Sequence, residues 1–556
     1  SLPGAVAAGR GSPAAGRALA ALAAVMAVNI VQHLIIPLRG VATIRAVKEI
    51  DGWLVTRVLR AIQAPVGIDH LHDPTLLDDL ALGGGNPTLL TPETPGGAAV
   101  GLVVRAGRWT GALGSGLVLA AVAPVAAVFL LGATMLVRTR AHREHLVYVN
   151  GLRPLWPLFR RANYTASLAT APGAAKETRI FGLTDWLIDR HEREWTSVTS
   201  TAITHRRPVR TWLARTQGLM TVAQAAAFAY LAHQAATGRV SLGQLTAAVS
   251  SSIALTTLSA TSHEDDAVDF GMASLDAVER IEQRAVPAQA ARGDQHPATD
   301  LPTRSIRFEG VSFTYRGSDR PALSGVDLEL PAGRSVAIVG DNGAGKTTLV
   351  KLLARLHEPD EGRILVDGVD LRDLDPVAWR RRLAVIFQDF VRYELPARDN
   401  IGFGALDLRH DDGALAAAIH QAGATEVVGH LPAGLDTVLS RRFPGGADLS
   451  GGEWQKIALA RALLAVEGGA GVLVLDEPTA NLDVRAEAEL FERFLELTSA
   501  CTTLLVSHRF STVRRADLIC VLSRGGRVIE QGTHADLLSK GDRYAELFSL
   551  QAAKFL

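Results

Sequence analysis

Long apolar stretches without a formal charge constrain this chain more than any other feature of its sequence. Ala18 to Leu38 is such a stretch, and about 20 apolar residues in a helix cross the roughly 30 Å hydrocarbon core of a bilayer. The region from Ala98 to Val137, broken near Pro124, is long enough for two further spans. Thr216 to Thr237 and Leu242 to Ser262 add two more, with a short turn between them. The sequence therefore predicts an α-helical transmembrane domain with five spans.

Positively charged residues predict the orientation of these spans, because short segments rich in Lys and Arg stay on the cytoplasmic side. Basic residues follow the first predicted span, from Arg39 to Arg60, and the third, from Arg138 to Arg210. The turns near Pro124 and Gly238 carry little charge. We expect the two basic stretches to be cytoplasmic helical extensions of the spans and the two short turns to lie outside.

Charge and cysteine content exclude two classes of protein. The 57 Lys and Arg residues balance 57 Asp and Glu residues, so no basic surplus indicates a nucleic-acid partner. The two cysteines, Cys501 and Cys520, lie in apolar runs. They are too few for a disulfide framework or a cysteine-rich metal site, and we expect them to be core residues.

The chain divides into parts of different composition. Residues 283–304 are polar and contain three prolines, which is typical of a linker. After them, short β-branched runs alternate with helical runs, the pattern of an α/β fold. We predict a transmembrane domain with cytoplasmic helical extensions at 1–282, a linker at 283–304 and a soluble α/β domain at 305–556.

The strongest motif lies near the start of the α/β domain. Ser335 to Val339 has the composition of a strand, and a glycine-rich loop and a helical run follow it at once. The pattern G-x-x-x-x-G-K-[ST] requires this context, because its glycines bring backbone N–H groups close to phosphate oxygens. Lys346 is expected to contact the β- and γ-phosphates, and Thr347 to ligate Mg²⁺. The predicted nucleotide-binding residues here are Gly340, Asp341, Asn342, Gly343, Ala344, Gly345, Lys346, Thr347 and Thr348.

Two further elements fit the same chemistry. An apolar strand ends in Asp476 and Glu477, at the edge where parallel strands deliver side chains to a ligand. Asp476 suits a magnesium ligand, and Glu477 suits a base that orients the attacking water. Ser450, Gly451 and Gly452 precede a helix and form a second anion site. One chain cannot place both helix starts on the same γ-phosphate, so we expect two such domains to face each other head to tail.

These motifs, in this order, resemble the nucleotide-binding domain of the ATP-binding cassette (ABC) superfamily, over residues 305 to about 550. Residues 449–453 are similar to its LSGGQ signature, with glutamate in the last place. The resemblance implies four more site residues. They are Tyr315 stacking on adenine, Gln388 in the Q-loop at the metal, Asp483 in the D-loop and His508 as the switch histidine at the γ-phosphate.

The fusion of membrane spans to a C-terminal cassette resembles exporter-type half-transporters. The resemblance implies an ATPase, with ATP and Mg²⁺ bound, that exports a small molecule, lipid or peptide across the cytoplasmic membrane. The shared site is expected to combine residues of two half-transporters. One contributes Lys346, Gln388, Asp476, Glu477 and His508, and the other contributes Ser450 and Gly452. The sequence is consistent with a homodimer or a heterodimer, and it does not indicate the substrate.

Two other functions stay open at this stage. One is uptake through an exporter-like fold. The other is mechanical work on nucleic acid, against which five apolar spans and zero net charge argue. Half-transporters of the family have six membrane helices, one more than the sequence predicts here. We therefore expect the chain to begin after the first helix of that pattern.

Overall fold

The computed structural model describes residues 13–83, 94–151, 155–259, 262–290, 296–477, 500–507 and 509–552. These residues form two compact units. The first unit comprises the residues up to 64 together with 72–287, and the second comprises 65–71 together with the residues from 288 onward.

The described part of the first unit is built from helices. α1 and α7 have 51 and 53 residues, so each runs far beyond the apolar stretch that it contains. The helices are α1 (Pro13–Gln63), α2 (Pro74–Gly83), α3 (Pro95–Val122), α4 (Pro124–Gly151), α5 (Trp156–Thr170), α6 (Pro172–Ile180), α7 (Thr184–Ala236), α8 (Leu242–Thr256) and α9 (His263–Ala290).

The predicted break near Pro124 separates α3 from α4. Proline has no backbone N–H and so disfavours continuation of the preceding helix, and the N–H of Ala123 closes α3 by donating to the carbonyl oxygen of Leu119 at 2.7 Å. Leu119 and Leu130, on either side of the break, are fully buried in a core that also includes residues of α7 and α8.

Two described helical segments are long and apolar enough to cross a membrane, Leu19–Gln63 in α1 and Pro124–Val147 in α4. α8 covers only 15 residues of the predicted span 242–262, which corresponds to a rise of about 22 Å and falls short of a bilayer core. A 3₁₀ turn at Thr257–Ser259 follows it, and α9 begins at His263. The count of five spans stays a prediction.

Three arginines converge on one buried carboxylate at the start of α9. The guanidinium of Arg138 donates to Oδ1 of Asp265 at 2.9 Å, and nitrogens of Arg105 and Arg108 lie 3.6 and 3.5 Å from the same carboxylate. Arg138 also donates to the carbonyl oxygen of Leu258 at 2.9 Å. Because buried charges are stable only when paired, this cluster joins α3 and α4 to the start of α9.

The described residues of the second unit form two sheets. Its six-stranded sheet has the order β10-β9-β3-β8-β7-β6, and its four-stranded sheet has the order β2-β1-β4-β5. The strands are β1 (Ser305–Phe313), β2 (Leu323–Pro331), β3 (Ser335–Gly340), β4 (Glu361–Val366), β5 (Val369–Asp370), β6 (Leu383–Ile386), β7 (Val472–Asp476), β8 (Thr502–Val506), β9 (Leu518–Leu522) and β10 (Val528–Gly532).

Strands β6, β7, β8, β3 and β9 run parallel, so their carboxyl ends meet at one edge of the sheet. Residues of β7 and β8 are buried along their whole length, as strands covered on both faces are. The helices in the described part of this unit are α10 (Lys346–Leu353), α11 (Pro376–Arg381), α12 (Ala397–Gly402), α13 (Asp412–Gln421), α14 (Thr425–Gly429), α15 (Gly451–Glu467), α16 (Phe510–Val513), α17 (His534–Lys540) and α18 (Arg543–Ala552).

The predicted fold class, an α-helical domain followed by an α/β domain with a phosphate-binding loop, is confirmed. Within the predicted linker 283–304, α9 continues as far as Ala290 and passes through Pro287. The helix thus extends into the predicted linker, and the domain boundaries at 282 and 305 stay predictions. Both cysteines are buried.

Candidate functional site

The phosphate loop lies between β3 and α10, at the carboxyl edge of the parallel strands. Its backbone requires glycine, because φ is +80° at Gly343 and +94° at Gly345, a region that other residues enter at a cost. A Cβ on Gly345 would lie 2.4 Å from the carbonyl oxygen of Ala322. Gly345 provides no side-chain cap to α10, so the first N–H groups of this helix face the loop as donors for an anion.

Lys346 crosses the inside of the loop. Its side chain is buried, and its Nζ donates to the carbonyl oxygens of Gly340 at 2.9 Å and Asp341 at 3.1 Å. Burial lowers the pKa of Lys346, and the carboxylates of Glu477, Asp476 and Asp341 oppose that shift. The Lys346 ammonium is therefore close to three carboxylates, and it can bind a phosphate that enters the loop.

The two acids at the end of β7 differ in their surroundings. Asp476 is 1% exposed, and neither of its carboxylate oxygens accepts a hydrogen bond within the described part of the chain. Burial raises the pKa of Asp476, although the nearby Thr347 hydroxyl favours the ionised form. The ionised form of such a buried carboxylate is favourable only beside a cation. The donor set of a carboxylate and a hydroxyl suits Mg²⁺.

Glu477 has a strained backbone. Its φ is +46°, a left-handed value that is uncommon outside glycine, and its N–H donates to the carbonyl oxygen of Val506 at 2.9 Å. Strain of this kind concentrates at functional sites. The pairing with β8 fixes where Glu477 leaves the sheet, directly beyond Asp476.

Gln388 reaches the same edge from the neighbouring strand. β6 pairs with β7 in parallel, with Ile386 opposite Leu475, so Gln388 follows two residues beyond this pair, level with Glu477. Its side chain is exposed. Topology thus brings this sequence-predicted residue to the edge that also carries Asp476.

Tyr315 stands beside the phosphate loop. Its hydroxyl lies 3.2 Å from the hydroxyl of Thr348, and the ammonium of Lys351 lies over its ring at 5.5 Å from the centroid. The rings of Phe313 and His357 meet it edge to face, with centroids 4.9 and 5.4 Å away. These contacts fix the plane of a half-buried aromatic ring next to α10.

The helix start that was predicted as a second anion site has a capping box. The Ser450 hydroxyl accepts from the N–H of Glu453 at 3.3 Å, and the Glu453 carboxylate accepts from the N–H of Ser450 at 2.7 Å. The hydrogen bond from the Ser450 N–H, followed by the contact of the carboxylate with the Ser450 side chain, lowers the pKa of Glu453. The glutamate in the last place of the signature segment therefore has a local structural role. Ser450 itself is exposed, so this helix start opens to the surface.

A histidine beside Tyr315 binds a segment from earlier in the chain. Nδ1 of His357 lies 2.7 Å from Oδ1 of Asp69, and because a carboxylate only accepts, the imidazole N–H donates. The N–H of Ile68 donates to the carbonyl oxygen of Leu356 at 3.0 Å. His357 in turn packs on Tyr315. The segment 65–71 is therefore joined through one histidine to the aromatic ring beside the loop.

Two predicted site residues, Asp483 in the D-loop and the switch histidine His508, lie outside the described residues. Their assigned roles stay predictions.

Comparison with known proteins agrees with the fold and with the phosphate loop. The family model described as ABC transporter matches residues 323–480, from the start of β2 past the end of β7. A solved structure, a bacterial Atm1-family ABC exporter with ATP bound, has the same fold, with a TM-score of 0.70, 24% identity, and coverage of 99% of this chain and 93% of that one. Residues 323–480 therefore form an ABC transporter domain. The order of the two parts, with helices first and this domain after them, agrees with the sequence prediction.

Curated relatives match less than half of this chain at higher identity. An ATP-dependent lipid A-core flippase of Thiobacillus denitrificans is 40% identical over 265 residues, which cover 46% of this chain and 44% of the flippase. The subtilin transport ATP-binding protein SpaT of Bacillus subtilis is 37% identical over 259 residues, covering 47% of this chain and 41% of that protein. The matched segments thus span less than half the length of these relatives. An ABC transporter domain implies that ATP is the nucleotide.

Proposed function

We propose that this chain is an ATP-hydrolysing subunit of an ABC exporter that moves a small molecule, lipid or peptide out across the cytoplasmic membrane. The observation that carries the proposal is the arrangement of Lys346, Asp476 and Glu477. A buried ammonium inside a phosphate loop faces a buried carboxylate that lacks a hydrogen-bond partner among the described residues, with a strained glutamate directly beyond it.

The residues divide the work of phosphoryl transfer. The N–H groups of the loop and of the α10 start hold the triphosphate, and Lys346 neutralises charge at the β- and γ-phosphates. Thr347, Asp476 and Gln388 would hold Mg²⁺, which supplies charge neutralisation on the phosphate oxygens when bound. Glu477 orients the attacking water and accepts its proton. Tyr315 stacks on adenine with the ring face opposite Lys351.

A second subunit completes the site. Ser450 is exposed and Gly451 and Gly452 are half-buried, so this helix start can approach the γ-phosphate bound by another copy. Asp483 and His508 are assigned to the same shared site by the family motifs. We propose a homodimer as the simplest assembly, with each site formed by one loop and the partner subunit's signature helix.

The location and the substrate class are proposed from the predicted spans and from the relatives. Basic residues that follow the predicted spans support a cytoplasmic cassette, and the apolar spans support a position of the first unit in the cytoplasmic membrane. Two relatives are named as a lipid A-core flippase and a subtilin transport protein. We therefore propose an amphipathic lipid or peptide as the first substrate class to test.

Transport can be tested in proteoliposomes with the cassette facing outward. Addition of MgATP should drive a fluorescent lipid or peptide into the lumen, or across to the inner leaflet, and Lys346→Ala should abolish this movement. Lys540→Ala, at an exposed lysine that ends α17, serves as the matched control and should retain transport. ATP-dependent loss of preloaded solute would indicate uptake instead, and movement that is independent of ATP would contradict the proposal.

A further inference from the structure

The C-terminal helix α18 contacts the phosphate loop from outside the known site motifs. One terminal nitrogen of Arg543 donates to both carboxylate oxygens of Asp341, at 2.8 and 2.9 Å. Asp341 is the residue directly after Gly340 in the loop. The two residues are 202 positions apart in sequence, so this contact depends on the fold and not on a local motif.

The backbone of Asp341 helps to close the loop, whereas its side chain adds a charge that opposes phosphate binding. Its carbonyl oxygen accepts from Lys346 at 3.1 Å and from the N–H of Ala344 at 3.1 Å, which closes the loop. Its carboxylate, however, adds a negative charge close to the place where a triphosphate must bind. An uncompensated like charge at that distance weakens binding of an anion.

Arg543 is held in place to neutralise this charge. Its other terminal nitrogen donates to the carboxylate of Glu546 at 2.7 Å, which fixes the guanidinium along the helix. Tyr544, the next residue, is completely buried, its N–H faces the carboxylate of Glu530 at 3.2 Å, and its hydroxyl lies 2.7 Å from Nδ1 of His534. The start of α18 is therefore anchored on β10 and α17.

The same helix also packs on the segment after the predicted switch histidine. The ring of Phe510, the first residue of α16, meets Tyr544 and Phe548 with centroids 5.3 and 5.5 Å away. α18 thus contacts the phosphate loop through the Arg543 ion pair, and it contacts α16 through aromatic rings. These two contacts hold Arg543 at a fixed position relative to the loop and to α16.

We propose that Arg543 is a positioning residue of the nucleotide site, which neutralises Asp341 and holds its carboxylate away from the triphosphate. The proposal rests on the function proposed above, because it assumes that ATP occupies the loop. It makes the affinity for MgATP depend on the C-terminal helix. Because the pair is partly exposed, with side chains 34% and 30% accessible, salt should weaken its effect.

The test is a charge cycle in the full-length chain, purified in lipid nanodiscs and assayed for hydrolysis at varied MgATP. Arg543→Gln should raise the KM by about three- to tenfold and leave kcat within about twofold of the wild-type value. One unneutralised charge near the surface weakens the binding of an anion by about that factor. Asp341→Asn should lower the KM. The double variant should return the KM to within about twofold of the wild-type value, because no charge then remains to neutralise.

Arg524→Gln is the matched control. Arg524 also faces Asp341, but at 4.0 Å and with 84% of its side chain exposed, so its KM should stay within about twofold of wild type. The Arg543→Gln effect should also shrink at high salt, which a role in helix anchoring alone does not predict. An unchanged KM in Arg543→Gln, or no rescue in the double variant, contradicts the inference. Absence of MgATP hydrolysis in the wild-type chain would instead refute the proposed function.

Discussion

Removal of the Asp69 carboxylate gives a prediction whose size follows from the structure. The imidazole of His357 is 2% exposed and donates to Asp69 at 2.7 Å. Its other ring nitrogen has no hydrogen-bond partner in the described part of the chain. Asp69→Ala therefore leaves a buried imidazole without any polar partner, which costs about 1–3 kcal/mol.

Backbone contacts should keep the segment 65–71 in place in this variant. The N–H of Ile68 donates to Leu356, and the Arg380 guanidinium donates to the carbonyl oxygen of Val66. The loss should therefore appear as a lower melting temperature of the cassette, by roughly 2–12 °C for a domain of this size. Differential scanning fluorimetry of the purified full-length chain measures this shift.

Two further variants make the reasoning refutable. Asp69→Ala combined with His357→Phe should recover most of the loss, because phenylalanine needs no polar partner and keeps the ring contact with Tyr315. Glu358→Gln, at an exposed acid whose ion pair with Arg355 spans 3.8 Å, should change the melting temperature little. An unchanged melting temperature in Asp69→Ala, or a double variant as unstable as the single one, would refute the reasoning.

Two other predictions concern the nucleotide site. Gly345→Ala should destabilise the cassette more than Gly343→Ala does. Both substitutions put a side chain at positive φ, at a cost of about 1–2 kcal/mol, but only the Cβ at Gly345 clashes, 2.4 Å from the Ala322 carbonyl oxygen. Equal melting temperatures for the two variants would contradict this. Asp476→Asn should stabilise the metal-free cassette at neutral pH, because burial raises the pKa of Asp476 and so the ionised form is costly in the folded state. The gain should disappear as pH falls through the raised pKa of the folded state toward about 3.9, the ordinary value, where the wild-type acid is neutral in both states. Melting curves with and without MgCl₂ check this, since Mg²⁺ should stabilise only the wild type, and a gain that persists at low pH would contradict it.

Local patterns predicted the parts of the site that local chemistry determines. The phosphate loop needs glycines between a strand and a helix, and the strand Val472–Asp476 needs an apolar run before its acids, so both were visible in sequence. Pro124 indicated a helix break because proline lacks the backbone N–H of a continuing helix. Pro287, however, did not end α9, which continues to Ala290 although proline removes a hydrogen bond.

Contacts between distant residues could not be predicted in this way. His357 and Asp69 are 288 positions apart, and Arg543 and Asp341 are 202 apart, and no spacing rule relates such residues. The end of α8 at Thr256 was also missed, because the apolar stretch continues beyond it. Glu453 shows a different limit, because the S-x-x-E pattern of a capping box was present but was interpreted only as a variant of the family signature.

The most direct test of the account is the rate of ATP hydrolysis by Glu477→Gln in the full-length chain. Glutamine keeps the size of the side chain but cannot accept the proton of the attacking water, so kcat should fall by about 100-fold or more, while radiolabelled ATP stays bound with Mg²⁺. Wild-type turnover in this variant would contradict the central claim that Asp476 and Glu477, with the phosphate loop, form the hydrolytic site.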